Sequence, residues 1–331
     1  MAKSLFGSLS AEYQTGNNDI LRGSGIAKPL LLQRADPFLT LYNGIYYFTA
    51  SVPTYDRIEI RAAKTIAGLK NAPVRTVWTK RETGIMSEHI WAPEMHLIDG
   101  VWYIYFAASE INNKWELRPY ALKCMGDPMT DEWEECGAIK AIDGDDAFTD
   151  FSLDGTTFTH NGERYFVWAE KVGKQFGISN LYIALMKTPT ELKSKRVLIA
   201  TPEYDWEKID FWVNEGAAVI KKDGKILMTY SASATGAMYC MGLLAADENA
   251  DLLDPKSWEK EPEPIFITDS EKQIYGPGHN SFCVDEEGKD ICIFHARPYE
   301  KIVGDPLYDH NRHTFVVRYT IDKKRKFIFD I

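Results

Sequence analysis

Long apolar runs are missing from this 331-residue chain, and no stretch approaches the ~18 apolar residues that a membrane-spanning helix needs. The periodicity of an amphipathic helix is almost absent as well, which leaves strands to build the core. Basic residues are in deficit: 38 Lys and Arg stand against 48 Asp and Glu, a net charge of −10. Bulk charge of that sign opposes binding to nucleic acid or anionic membrane, and neither is expected as a partner. A neutral ligand such as a carbohydrate is compatible with it. Cysteines number only five, with no Cys-x-x-Cys pair and no metal-ligand spacing. Cys240 and Cys283 lie in apolar strand contexts, so the thiols read as reduced core residues. The N-terminal MAKSLFGSLSAEYQTGNND lacks the apolar segment of a secretory leader, and a cytoplasmic location is expected on that ground.

What the chain does have is a sentence written five times. An acidic or imidazole head opens an apolar run, a Gly-containing pair turns the chain, and an aromatic-rich run returns to an alanine. The first copy spans residues 36 to 50, from Asp36 through Asn43-Gly44 to Ala50. Its successors turn at Asp99-Gly100, Asn161-Gly162, Asp223-Gly224 and Glu287-Gly288. Asn-Gly and Asp-Gly between strand-prone runs signal a two-residue hairpin, because both central residues need φ > 0. Successive turn glycines are 56, 62, 62 and 64 residues apart. A supersecondary unit recurring at such a period marks a repeat architecture. The prediction is an all-β, five-bladed β-propeller with four-stranded antiparallel blades around a central channel. All 331 residues are assigned to one domain, with 1–29 as a lead-in segment, because a blade cannot bury its faces alone.

The heads are Asp36, Glu94, Asp154, Glu215 and His279. Innermost strands line the channel of a propeller, so side chains at one register converge at its mouth. Four carboxylates and an imidazole in one small volume are costly to hold together without a function. Paired carboxyl groups in unlike environments are what glycoside hydrolysis requires, one donating a proton and one activating water.

Four motifs, RADPF around Asp36, SLDGTTF around Asp154, NEGAAV around Glu215 and GPGHNSF around His279, resemble the blade signatures of glycoside hydrolase family 43. The resemblance runs from about residue 30 to the C-terminus. It implies Asp36 as general base, Glu215 as general acid and Asp154 as the residue that positions the acid and raises its pKa. It also implies inversion at the anomeric carbon, with Asp36 and Glu215 ~6.5–9.5 Å apart to admit a water. His279 is similar to the family's central histidine, so Ca2+ or another cation is expected in the channel beside it. Trp91, in HIWAPEMH, and Phe38 are expected to shape the substrate pocket, Glu94 to hydrogen-bond within it, and Arg297 to contact substrate and base. Members resembling this sequence remove terminal α-L-arabinofuranosyl units, so the expected substrates are α-1,5-linked arabino-oligosaccharides or arabinoxylan-derived oligosaccharides. A β-xylosidase of the same family and a non-catalytic carbohydrate-binding propeller are the alternatives, and oligomeric state is left open.

Overall fold

A computed structural model of the protein describes residues 26–173 and 177–331. Most of the lead-in expected over 1–29 therefore lies outside the described residues. The rest forms five antiparallel sheets, each built from strands consecutive in sequence. Blade one comprises Ala35–Tyr42, Ile45–Ser51, Arg57–Ala63 and Arg75–Thr79. Blade two comprises Glu88–Ile98, Val101–Glu110, Asn113–Cys124 and Glu134–Ala138. In blade three Ser152–His160, Glu163–Val172 and Ile178–Thr188 are followed by Val197–Ala200, and the short strand Glu191–Leu192 adds a fifth member. Blade four runs Asn214–Lys222, Lys225–Ala232, Cys240–Asp247 and Glu259–Lys260. Blade five runs Tyr275–Val284, Asp290–Arg297, His313–Ile321 and Phe327–Asp330. The first strand of each blade touches the first strand of the next, and that of blade five returns to blade one, closing a ring.

Turn chemistry sets the innermost hairpins. Asn43-Gly44, Asp99-Gly100, Asn161-Gly162 and Asp223-Gly224 all have φ between 48° and 84°, the signature of a type I′ turn. The fifth hairpin departs from the predicted pattern. Glu287 does not adopt positive φ, and only Gly288 does (φ 73°). Glutamate lacks the short side chain that lets Asn and Asp tolerate this region. Blade five uses a wider loop instead, in which Asp285 Oδ1 accepts the amides of Glu287 and Lys289 at 2.8 and 2.9 Å.

The core is not one mass but a set of layers between neighbouring blades. Trp102, Ile104 and Phe106 of blade two pack on Ile58 and Ile60 of blade one. Tyr105 of blade two meets Phe166 and Trp168 of blade three, and Tyr230 and Met228 of blade four meet Leu181 and Val167 of blade three. Each such side chain, fully buried, contributes ~1.5–3 kcal/mol. Alternation along a strand serves two layers at once, because its two faces look at different neighbours. Blade five closes on blade one through Ile291, Ile293, Leu39 and Phe48. The chain entering blade one adds a clasp: Leu30 donates its amide to Thr314 O at 2.7 Å, and Thr314 returns its own to Leu31 O at 2.9 Å. All five cysteines are free thiols, as expected, with Cys124, Cys240 and Cys292 buried.

Candidate active site

Every innermost strand is interrupted where it reaches the mouth. Register slips between Ala35 and Phe38, Trp91 and Glu94, Glu215 and Ala218, and Gly278 and Ser281, and opposite Val167 and Ala169 in blade three. At each bulge one residue turns to positive φ: Asp36 (52°), Ala92 (46°), Asp154 (55°), Gly216 (57°) and His279 (45°). A bulge re-aims the side chain it carries, and four non-glycine residues held at positive φ are strained positions of the kind that cluster at functional sites. Three of the predicted heads thus share one structural position. The other two do not: Glu215 precedes its bulge residue by one place and Glu94 follows its own by two.

The bulged amides, lost to the strand ladder, are taken up by the preceding blade. Ala92 N donates to Ser51 Oγ at 2.8 Å, and Gly216 N to Asp154 Oδ2 at 3.1 Å. His279 N donates to Ser231 Oγ at 2.7 Å, and Asp36 N to His295 Nδ1 at 3.0 Å. These bonds satisfy buried donors and fix the azimuth of one blade against the next.

Asp36, Asp154 and His279 meet directly. His279 Nδ1 lies 3.3 Å from Asp36 Oδ1 and 3.7 Å from Asp154 Oδ2. All three are buried, and a Cβ on Gly216, next to Glu215, would stand 3.1 Å from His279 Cγ, so only glycine leaves the ring its place. Asp36 also accepts from Ser51 Oγ at 2.5 Å and stands 3.5 Å from Arg312 Nη1. Burial alone would push the Asp36 carboxyl up. The charges of His279 and Arg312 outweigh it and hold the group well below the usual carboxylate range. Glu215 and Asp154 go the other way. Burial is the largest cause in both, and nearby carboxylates add to it: Asp36 at Glu215, and Glu215, Asp36 and Glu94 at Asp154. The Asp154–Glu215 pair titrates as a unit and keeps a proton above the ordinary carboxyl range. His279 is raised despite its burial, because it faces Asp154, Asp36 and Glu215.

His295 behaves differently from His279. Burial pushes it down to about 3, so it is neutral. Its Nδ1 accepts the Asp36 amide, and the 3.3 Å approach to Asp36 Oδ1 is therefore not an ion pair. The ring stacks on Tyr239 (centroids 5.6 Å apart, 5° between planes), whose hydroxyl donates to Glu215 Oε1 at 2.9 Å. Gly278 makes room for Tyr239: a Cβ there would stand 2.3 Å from Tyr239 Cε1. Gly278→Ala is expected to cost roughly 1–3 kcal/mol in thermal unfolding and to push Tyr239 away from Glu215. A variant that melts with the native protein would contradict this packing.

The remaining predicted residues divide. Trp91 stacks on His89 and meets Tyr55 edge-on, at centroid distances of 4.4 and 5.7 Å. Glu94 is buried and pairs with His96, Oε2 to Nε2 at 3.0 Å, and Phe38 packs on that same His96 ring at 4.8 Å. Arg297 spends its guanidinium on the carbonyls of Thr235, Pro306 and Asp309. The arginine beside Asp36 is instead Arg312, whose Nη2 donates to Tyr55 Oη at 2.9 Å. Sequence reasoning missed Arg312, Tyr55, Tyr239 and His295. A signal existed for one of them: Ser51, Ser231 and His295 each adjoin the alanine that ends a return strand, at matching registers.

Among the described residues no three His, Cys, Asp or Glu side chains come together as a metal set. At His279, Nδ1 is turned to Asp36 and Asp154. A cation there would need the ring neutral, with Nδ1–H turned to the carboxylates and Nε2 as the protein ligand, and would take water for the rest.

Fold and site together define a propeller whose mouth holds an ionised carboxylate beside a protonated carboxyl pair, a set equipped for acid–base work on a neutral ligand. The chain belongs to the glycosyl hydrolases family 43, whose model matches residues 26–326. It is 47% identical over 289 residues to an extracellular exo-α-(1→5)-L-arabinofuranosidase of Streptomyces avermitilis, covering 86% of this chain and 59% of that protein. It is 44% identical over 281 residues to a protein of the same name from Streptomyces chartreusis, covering 84% of each. The crystal structure of an α-L-arabinofuranosidase from Lactobacillus brevis superposes with a TM-score of 0.86 at 46% identity, covering 95% of this chain and 97% of that one. The chain thus spans about 59% of the length of the S. avermitilis relative. The cytoplasmic location expected from the N-terminal residues is overturned by these relatives. Two are named extracellular, which points to secretion.

Proposed function

We propose that this protein is an inverting, exo-acting α-L-arabinofuranosidase that releases terminal units from α-1,5-linked arabino-oligosaccharides or arabinoxylan-derived oligosaccharides. The observation that carries the reading is the split between Asp36, held ionised by His279 and Arg312, and the Asp154–Glu215 pair, which retains a proton. In this scheme Asp36 takes a proton from water as the water oxygen bonds to the anomeric carbon. The bond to the leaving oxygen breaks, its electron pair stays on that oxygen, and Glu215 supplies the proton. Asp154 holds the Gly216 amide and so the backbone beside the acid, and it shares with Glu215 the proton that burial and like charge keep on the pair. The names of the relatives support the sugar and the linkage.

A cation at His279 belongs to the same proposal. It would bind Nε2 of the neutral ring and take over from the imidazolium proton the part of positive charge beside the carboxylates.

Turnover of α-1,5-arabinobiose against p-nitrophenyl β-xyloside tests the reading, and faster xyloside hydrolysis would reassign the enzyme. Asp154→Asn offers a second check. Removing a negative charge near Glu215 lets the acid deprotonate more easily, so the basic limb of the pH–rate profile moves to lower pH. At neutral pH kcat is expected to fall about 10²-fold. A basic limb that stays in place would remove Asp154 from this role.

A further inference from the structure

Arg297 ends the return strand of blade five, and it is 2% exposed. Burial and the nearby charge of Arg312 lower its pKa to about 10, so it stays charged at neutral pH. Holding a guanidinium here carries a desolvation cost that an apolar side chain of similar size would avoid. Asp309 Oδ1 stands 3.5 Å from Nε, and the rest of the head goes to the backbone of two different blades. Nη1 donates to Thr235 O at 2.5 Å, in the loop 233–239 of blade four. Nη2 donates to Pro306 O at 2.7 Å and to Asp309 O at 3.2 Å, in the loop 298–312 of blade five.

Each of these loops ends at a carboxylate. Loop 233–239 closes with Tyr239, whose hydroxyl donates to Glu215 Oε1 at 2.9 Å. Loop 298–312 closes with Arg312, 3.5 Å from Asp36 Oδ1. Tyr55 ties that arginine back to its own loop, accepting from Arg312 Nη2 and donating to Leu307 O, both at 2.9 Å. The strand that roots Arg297 also takes part. His295, two residues back and so on the same face, accepts the Asp36 amide and stacks on Tyr239. Other bonds fasten each loop to its own surroundings: Ala234 N donates to Ile209 O and Thr268 Oγ1 to Ala237 O on one side, Tyr299 Oη to Asp309 on the other. Arg297 bridges the two.

We propose that Arg297 is a positioning residue that locks the loop behind the acid to the loop behind the base, fixing Glu215 and Asp36 relative to each other without touching the sugar. The inference rests on the roles given to Glu215 and Asp36 above. A guanidinium is what such a lock needs, because its donors lie in one plane with fixed directions and hold carbonyls on two sides at once. Lysine brings the same charge on a single nitrogen and cannot span both loops.

The test compares Arg297→Lys, which keeps the charge, with Arg297→Gln, which removes it, each below its own melting transition. Both variants are expected to lower kcat on α-1,5-arabinobiose about 10²-fold with KM little changed, because the groups that shift are those that react. On 2,4-dinitrophenyl α-L-arabinofuranoside, which needs the base but little help from the acid, the loss should be about tenfold. Hydrogen exchange read by mass spectrometry on the free protein should become faster in both 233–239 and 298–312 in Arg297→Lys. Native kcat in Arg297→Lys, with or without a lower melting temperature, would overturn the lock. Equal losses on the two substrates would show that it does not reach the acid, an unchanged rate on the dinitrophenyl glycoside that it does not reach the base, and either result overturns it. Faster exchange in one loop alone does the same. A native protein that cleaves neither substrate refutes the hydrolase reading, and the exchange measurement then still decides whether the two loops are locked together.

Discussion

Glu215→Gln is expected to lower kcat on α-1,5-arabinobiose by about 10²–10⁴-fold, with KM little changed. The loss should depend on the leaving group. A sugar alkoxide cannot depart without a proton, whereas 2,4-dinitrophenolate is stable as an anion. The same variant should therefore keep far more of its activity on 2,4-dinitrophenyl α-L-arabinofuranoside. Glutamine preserves the shape of the side chain and can still accept from Tyr239 Oη, so the fold is not at stake. Equal losses on both substrates would show that the residue does something other than donate a proton.

Asp36→Asn provides the complement. A base that activates water is needed whatever departs, so both substrates should lose about 10²–10⁴-fold. This change carries a structural cost that Glu215→Gln does not. Asp36 is the carboxylate beside Arg312 and one of the two nearest His279, and all three groups are buried. Removing its charge leaves Arg312 uncompensated, which destabilises by roughly 3–5 kcal/mol when a buried pair is broken. A fall in melting temperature should accompany the fall in rate, and activity is to be compared below the new transition. Retained turnover on either substrate would rule Asp36 out as the base.

How much of this could be read from residues alone depends on what each feature rests on. The hairpins rest on local chemistry, on Asn-Gly and Asp-Gly pairs that need positive φ, and they were legible together with the propeller they imply. The fifth turn was less so, because Glu287 breaks the rule that the other four obey. Convergence of Asp36, Asp154 and His279 followed from their place before each hairpin. Their shared bulge did not, since a bulge is settled by which residue loses its ladder partner, a pairing between strands rather than a property of one. That is also why Glu94 and Glu215 stand off register although their motifs align.

Arg312 was hidden for a different reason. It follows the loop after Arg297 and belongs to no repeated motif, and only the packing of blade five against blade one brings it beside Asp36. Tyr239 is similar: its own stretch does not place it at the mouth, and it reaches Glu215 because Gly278 of the next blade leaves room for the ring. Long-range partners of a site are chosen by blade-to-blade packing, and the sequence carries that only as a small residue here or there. The cytoplasmic location failed as well: it leaned on the N-terminal residues, and relatives named extracellular overturn it.

The central claim is that Asp36 activates a water on the face of the sugar opposite to the oxygen that Glu215 protonates. Proton NMR of the first seconds of α-1,5-arabinobiose hydrolysis, before mutarotation, tests it most directly. Inversion predicts β-L-arabinofuranose as the initial product from the non-reducing unit, with the α anomer growing in later. Initial release of the α anomer would mean a covalent intermediate on one of the carboxylates, and would contradict the division of roles between Asp36 and Glu215.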